Sequence, residues 1–137
     1  MPGPPPLQLE FAASVPELPV ARARLRRWLD GSVDDPILRQ DLLLVGTELC
    51  TEAVQRRGGG QIRLGAWIED SSVILEVSGP TGRAPDGCVA DLARSRSDTR
   101  CRTEILERVC DEVTATTDES LRSVRCRRRM GQPERAR

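Results

Sequence analysis

The chain has 137 residues, a length typical of one domain, and its 21 basic residues balance 21 acidic ones. Every basic residue is arginine, and His, Lys, Tyr and Asn do not occur, which excludes Ser-His-Asp and Cys-His catalysis, histidine metal ligands and the P-loop lysine. The charge balance and the scarcity of aromatic residues, which are Phe11, Trp28 and Trp67, argue against a nucleic-acid-binding protein.

The first residues are not typical of a targeting signal. Residues 1–6 (MPGPPP) lack the charged and apolar regions of a signal peptide. No stretch approaches the roughly 18 consecutive apolar residues of a membrane-spanning helix. We therefore expect a cytoplasmic protein without membrane contact, and a disordered leader over residues 1–6.

The first predicted elements are a strand and a helix. Apolar residues alternate with polar or small ones over residues 7–12, which is typical of a half-buried strand. Pro19 suits the first turn of a helix and Gly31 suits its end, so the first helix is predicted over residues 19–30. One side of this helix carries Val20, Leu25, Trp28 and Leu29, and its arginines lie elsewhere.

A longer helix is predicted to begin at Asp35 and Pro36, because a capping carboxylate followed by proline is typical of a helix N-terminus. The glycines at 58–60 end this helix, which is predicted over residues 36–57. Apolar residues recur every three or four positions along it, so one face belongs to the core. That face carries Leu38, Leu42, Val45, Leu49 and Ala53.

Two strand pairs are predicted downstream. Alternating apolar residues and a short polar link predict a hairpin of strands 61–69 and 72–78. The remaining predicted elements are a loop over 79–98, a helix over 103–112 and strands over 113–117 and 121–127.

This element order predicts the fold class. Consecutive strands joined by short links form an antiparallel sheet, and the helices between them cover one of its faces. We expect an α+β two-layer sandwich, in a single domain over residues 7–128 followed by a polar tail over residues 129–137.

The cysteines are interpreted as reduced thiols without a metal or redox role. No two of them form a C-x-x-C pair, and no histidine is present to complete a zinc site. Apolar neighbours at helical spacing place Cys50 and Cys110 among core residues. The full set is Cys50, Cys88, Cys101, Cys110 and Cys126.

Two carboxylates share one face of the second helix. Glu48 and Glu52 are four residues apart, and like charges at that spacing destabilise a helix by about 0.2–0.5 kcal/mol. Arg56 continues the row and is placed to pair with Glu52. Two interpretations stay open from the residues alone: a solvated polar face with one ion pair, or a face directed into a ligand or partner site.

Part of this helix resembles the first nucleotide-binding motif of the Bergerat-fold (GHKL, histidine-kinase-like) ATPases. The string TELCTEAVQR at residues 47–56, followed by GGG at 58–60, is similar to the pattern E-L-x-T-N-A-v-x-H of their anti-sigma factor/serine-protein kinase branch. VILEVS at 73–78 and ILERVCDEV at 105–113 resemble later elements of that branch, and the element order matches across residues 7–128. The resemblance implies the histidine-kinase-like ATPase fold and a site for ATP and magnesium.

The chain departs from the family pattern at the nucleotide-binding positions. The family's asparagine, which helps to hold magnesium, is replaced by Glu52, a carboxylate that can ligate magnesium but repels a triphosphate. The aspartate that binds the adenine amino group is replaced by Gly79, and Gly82 is what remains of the following glycine pattern. Losing one charge-assisted hydrogen bond costs about 1.5–3 kcal/mol.

The family's glycine-rich third motif is also altered. In its place stands RCRT at residues 100–103, whose side chains keep the backbone away from phosphate, although arginines can contact phosphate directly. We therefore expect a degenerate nucleotide site. By resemblance its residues are Glu48, Glu52, Gly79, Gly82, Arg100, Arg102 and Thr103.

The resemblance implies a regulatory anti-sigma-factor-like protein that binds a sigma factor, an anti-anti-sigma protein, or both, as a homodimer. The residues expected to meet the partner are Arg22, Leu25, Arg26 and Leu29; a plain amphipathic helix with a solvated basic face is the alternative interpretation. The alternative function is an active ATP-dependent serine kinase, with Glu48 as general base and Glu52 as magnesium ligand. A nucleic-acid-binding tail at residues 125–129 is disfavoured by the overall neutrality.

Overall fold

The structure is a computed structural model that describes residues 4–55, 60–80, 104–117 and 120–130. Its strands and helices follow the predicted order, and a turn of 3-10 helix at Val15–Glu17 precedes the first α-helix. The elements are β1 (Leu7–Ala12), α1 (Leu18–Ser32), α2 (Pro36–Gln55), β2 (Gln61–Glu69), β3 (Ser72–Pro80), a helical segment α3 (104–109), β4 (Glu112–Thr117) and β5 (Leu121–Arg129).

The five strands form one sheet in the order β1-β2-β3-β5-β4, and every neighbouring pair is antiparallel. Strands β1 and β4 are the two edges of the sheet. Helix α1 contacts β1, so it lies at the opposite edge from the β5–β4 pair. Helix α2 packs on the central strands β2 and β3. The α+β two-layer sandwich predicted from the element order is confirmed.

The core lies between the helices and one face of the sheet. The five α2 residues predicted to face inward are all buried, and they meet the inward residues of the central strands. Strand alternation puts every second residue of β2 on this face. Residues less than 2% exposed on this side include Leu25, Leu29, Leu42, Val45, Ile62, Val73 and Leu75.

The hairpin between β2 and β3 has a two-residue turn. Asp70 and Ser71 have φ angles of 50° and 63°, in the left-handed region that a type I′ turn requires at both central positions. This turn matches the right-handed twist of the flanking strands, so the register runs from Glu69 opposite Ser72 to Arg63 opposite Ser78. The predicted hairpin is confirmed.

Helix α1 ends later than predicted, and its apolar side is only partly buried. The helix continues through Gly31 to Ser32, and the N–H of the C-cap residue Val33 donates to the Leu29 carbonyl at 2.9 Å. Val33 is 2% exposed, so the chain turns into the core two residues later than Gly31 predicts. Val20 is 54% exposed, because the buried positions of α1 are Ala21, Leu25 and Leu29.

Three strand boundaries also differ. β3 extends through Gly79 and Pro80, which were predicted to open a loop, because both residues pair with β5. β5 extends to Arg129 rather than residue 127, since Arg129 pairs with Ser72. Glu112, predicted to lie in a helix, begins β4. In each case cross-strand hydrogen bonding outweighs the local composition.

One residue of the predicted leader contacts α1. The indole N–H of Trp28 donates to the Pro5 carbonyl at 2.7 Å, which holds this end of the described chain against the helix. Residues 1–3 lie outside the described residues.

Helix α2 begins as its sequence predicts, with a side-chain cap. Asp35 Oδ1 accepts hydrogen bonds from the backbone N–H groups of Ile37 at 2.9 Å and Leu38 at 3.4 Å. Replacing Asp35 by Ala is expected to lower the free energy of unfolding by about 1 kcal/mol. Urea denaturation measures this change. Asp35→Asn should retain most of the cap, and Asp34→Ala is the matched control; an equal loss in both alanine variants would contradict the capping role.

Candidate functional site

A shallow crevice lies between the C-terminal half of α2 and strands β3 and β5. Among the described residues it has a volume of about 10 Å³, which is room for about one water molecule. Helix α2 supplies one wall and the ends of two central strands supply the other. The lining residues are Leu49, Glu52, Ala53, Val77, Gly79, Pro80, Arg122 and Val124.

Glu52 lies inside this crevice and not on a solvated face. Its side chain is 15% exposed, and its Oε2 lies 3.7 Å from Nη2 of Arg122. Glu48, one helical turn earlier, is half-buried and makes its own polar interactions. The structure therefore brings the two predicted carboxylates onto one side of α2, and Arg56, the predicted partner of Glu52, lies outside the described residues.

Arg122 is the site residue that the sequence analysis missed. It sits on β5 opposite Gly79 of β3, and its inward-facing neighbours along the strand, Val124 and Cys126, are both buried. The Arg122 side chain is 27% exposed, and its Nε is buried without a hydrogen-bond partner among the described residues. An arginine at an inward strand position is uncommon without a partner. The alternation of Arg122 with Val124 and Cys126 in the sequence could therefore have identified Arg122 as a candidate site residue.

The guanidinium of Arg122 changes the electrostatics at Glu52. Opposite charges less than 4 Å apart in a partly enclosed site attract more strongly than in water. The same guanidinium repels any second cation that approaches the Glu52 carboxylate. The described residues contain no group of three or more His, Cys, Asp or Glu side chains arranged to hold a metal ion. Among the described residues, Glu52 therefore faces a fixed positive charge and lies in no cluster of metal-ligating side chains.

Gly79 is buried at the sheet end of the crevice. A Cβ built on it would lie 3.3 Å from Ile62 Cγ1 and 3.9 Å from the Ala53 Cβ, so a side chain at this position would occupy the space between the sheet and α2. Glycine places no acceptor atom there. The position that resembles the adenine-binding aspartate of the family thus carries a backbone group alone.

The other predicted nucleotide-site residues lie outside the described residues. They are Gly82, Arg100, Arg102 and Thr103.

The predicted partner-binding residues of α1 divide into two groups. Arg22 and Arg26 are exposed, as are Arg24 and Arg27, and no ion pair engages these four arginines in the described part of the chain. Leu25 and Leu29, in contrast, are each 1% exposed and belong to the core, so their prediction as partner contacts was wrong. We call the exposed residues Val20, Arg22, Arg24, Arg26 and Arg27 the α1 surface.

The arginines near the end of β5 are engaged with other residues. Arg125 contacts Glu76 at 2.9 Å and lies over the Trp67 ring, 5.2 Å from its centroid. Arg127 lies 3.5 Å from Glu69 and 3.7 Å from Glu112. The charges of Arg125 and Arg127 are thus paired with carboxylates on other strands of the sheet.

No protein-family model and no curated protein matches this chain. Among solved structures, the chain is similar to the crystal structure of the RsbU and RsbW domains of Rv1364c from Mycobacterium tuberculosis, with 20% sequence identity and a TM-score of 0.71. The match covers 96% of this chain and 34% of that one, so the chain spans about a third of its length. The chain therefore shares the α+β fold of the matched part of that structure.

Proposed function

We propose that the chain is a regulatory protein of the anti-sigma-factor type that binds a sigma factor, an anti-anti-sigma protein, or both, and that does not turn over ATP. The RsbW-like fold supports the general class. The main support for the absence of ATP turnover is the ion pair between Glu52 and Arg122 inside the crevice.

The pair opposes nucleotide chemistry in two ways. Glu52 faces a guanidinium, which disfavours the bridging magnesium that neutralises charge in phosphoryl transfer. Arg122, in turn, directs its charge toward a carboxylate, which weakens its attraction for a phosphate. Together with the missing acceptor at Gly79, these features support a domain that acts by binding and not by catalysis.

The α1 surface supports the binding role. Arg22 and Arg26 are one turn apart and exposed, and their charges have no acidic partner among the described residues. Val20, at 54% exposure, adds an apolar contact at one end of this row. We propose that this surface meets an acidic surface of the partner protein, since complementary charge speeds association and selects the partner.

The proposal includes a homodimer in the cytoplasm, where sigma factors act. No helix within the described ranges combines the length and the apolar character needed to cross a membrane.

Melting temperature in the presence of Mg-ATP tests whether the chain still binds nucleotide, which turnover requires. We expect no shift at millimolar Mg-ATP, whereas a ligand present at a hundred times its Kd stabilises the folded state by about 2.7 kcal/mol. Magnesium without nucleotide is the control.

The serine-kinase alternative predicts a different result. Here the melting temperature would rise by several degrees, and an anti-anti-sigma protein would be phosphorylated by the wild type but not by Glu48→Ala. Those two observations together would overturn the proposed loss of turnover.

A further inference from the structure

Two cysteine side chains meet at the end of the sheet away from α1. Cys110 directly follows α3, and Cys126 lies within β5, where it pairs with Val113 of β4. The two thiols are hydrogen-bonded to each other. Cys126 is 1% exposed, whereas Cys110 is partly buried against the core. Cys110 is therefore the more exposed residue of the pair.

The backbone around Cys110 is held firmly against β5. The Cys110 N–H donates to the Leu106 carbonyl at 2.8 Å, and the next N–H, of Asp111, donates to the Arg127 carbonyl at 2.8 Å. A carboxylate oxygen of Asp111 accepts a hydrogen bond from the Arg129 N–H at 2.6 Å. Asp111, which follows Cys110, is thus bonded to Arg127, which follows Cys126. This backbone hydrogen bond keeps the two cysteines close together.

An arginine ties the same segment to β5 and lies near the thiols. Arg128 Nη1 donates to the Val109 carbonyl at 2.6 Å. The hydrogen bond from Cys126 lowers the pKa of Cys110 and burial opposes this effect. The positive charge of Arg128 lowers that pKa further, and the negative charge of Asp111 raises it. The same hydrogen bond and burial raise the pKa of Cys126. The thiolate, which is the reactive form, is therefore favoured on the more accessible sulfur.

Cys50 provides an internal contrast. It is 3% exposed in the core, and burial raises the pKa of its thiol to about 12. Cys50 therefore fits the interpretation of a core thiol.

We propose that Cys110 and Cys126 form a site of reversible oxidation by hydrogen peroxide, which converts the two thiols to an intramolecular disulfide. The Cys110 thiolate attacks one peroxide oxygen, the O–O bond breaks, and the released hydroxide takes up a proton to become water. The Cys110 sulfenic acid that results is attacked by the Cys126 sulfur. The S–S bond forms, the S–O bond breaks, and a second water leaves with the Cys126 proton.

The two sulfur atoms together lose two electrons, which the peroxide gains, and a dithiol reductant reverses the reaction by thiol–disulfide exchange. The disulfide joins the end of α3 to β5.

Peptide mapping of the whole peroxide-treated protein tests this site. Trypsin releases residues 109–122 and 126–127 as separate peptides, so a disulfide between Cys110 and Cys126 joins them in one species, lighter by two hydrogen atoms than their sum. We expect this species in non-reduced digests of monomeric protein, and its loss after reduction. The cross-link should persist in Cys50→Ser and disappear in Cys110→Ser.

A second experiment tests whether Cys110 is the thiol that reacts first with peroxide. In Cys126→Ala the Cys110 sulfenic acid has no partner, so a dimedone adduct should accumulate on Cys110 and not on Cys50. Because the main measurement uses the wild type, it does not depend on the folding of this variant. Peroxide that links Cys110 only to another chain or to a different cysteine, or that leaves both thiols free while oxidising Cys50, would overturn the proposal.

Discussion

Leu25→Ala is expected to lower the free energy of unfolding by about 2–5 kcal/mol, a large part of the roughly 5–15 kcal/mol that keeps a domain folded. Leu25 is 1% exposed at the contact between α1 and α2. A Cβ built on Gly46 would overlap Leu25 Cδ2, which shows how closely the two helices approach. Truncation leaves a cavity that the close packing of the helices cannot fill.

Urea denaturation followed by tryptophan fluorescence measures this loss. Val20→Ala is the matched control, because Val20 lies on the same helix and is 54% exposed. We expect Val20→Ala to change stability by less than about 0.5 kcal/mol. Equal effects of the two substitutions would contradict the burial of Leu25 and restore it as a candidate for partner contact.

The double substitution Arg22→Glu and Arg26→Glu is expected to weaken partner binding by about a hundredfold or more, because placing like charges across an interface costs several kcal/mol. Both side chains are exposed, so the fold should remain intact. The tagged protein is used to capture a sigma factor or an anti-anti-sigma protein from a native lysate. Its affinity for the captured protein is then measured at two salt concentrations, since exposed charges are screened by salt.

The control changes the same charge at the other end of the sheet. Arg108→Glu with Arg129→Glu alters the net charge equally, and both residues are exposed on the α3 and β5 side. We expect this variant to bind the partner as the wild type does. Equal weakening in both double variants would assign the effect to net charge, and full binding by the α1 variant would place the partner elsewhere. Recovery of neither class of protein by the wild type would count against the proposed function.

Local sequence determined the elements and most of their limits. Asp35 followed by Pro36 predicts the start of α2, because the cap and the fixed φ of proline act within one helical turn. The alternation in β2 and β3, with a two-residue polar turn, predicts their hairpin for the same reason. The fold class follows, since the order of helices and strands leaves few ways to cover one face of an antiparallel sheet.

Contacts between residues distant in sequence determine the arrangement of the candidate site. Glu48 and Glu52 could be placed on one face of α2 from their spacing, but the partner of Glu52 comes from β5. The local sequence at Gly79 predicts the start of a loop. In the structure Gly79 is a strand residue because it pairs with Arg122 of β5. The register of β3 on β5 sets both outcomes, and no local pattern encodes a register between strands so far apart in the chain.

The sequence by itself determined the composition limits, the periodic faces and the start of α2, because these depend on residues within one or two turns of each other. Only the tertiary structure decided that Leu25 and Leu29 are core residues and that Arg122 enters the crevice. It also decided that Cys110 meets Cys126. A period of 3.6 or 2 shows which side chains share a face, whereas the packing of distant elements decides which face is covered and what it touches.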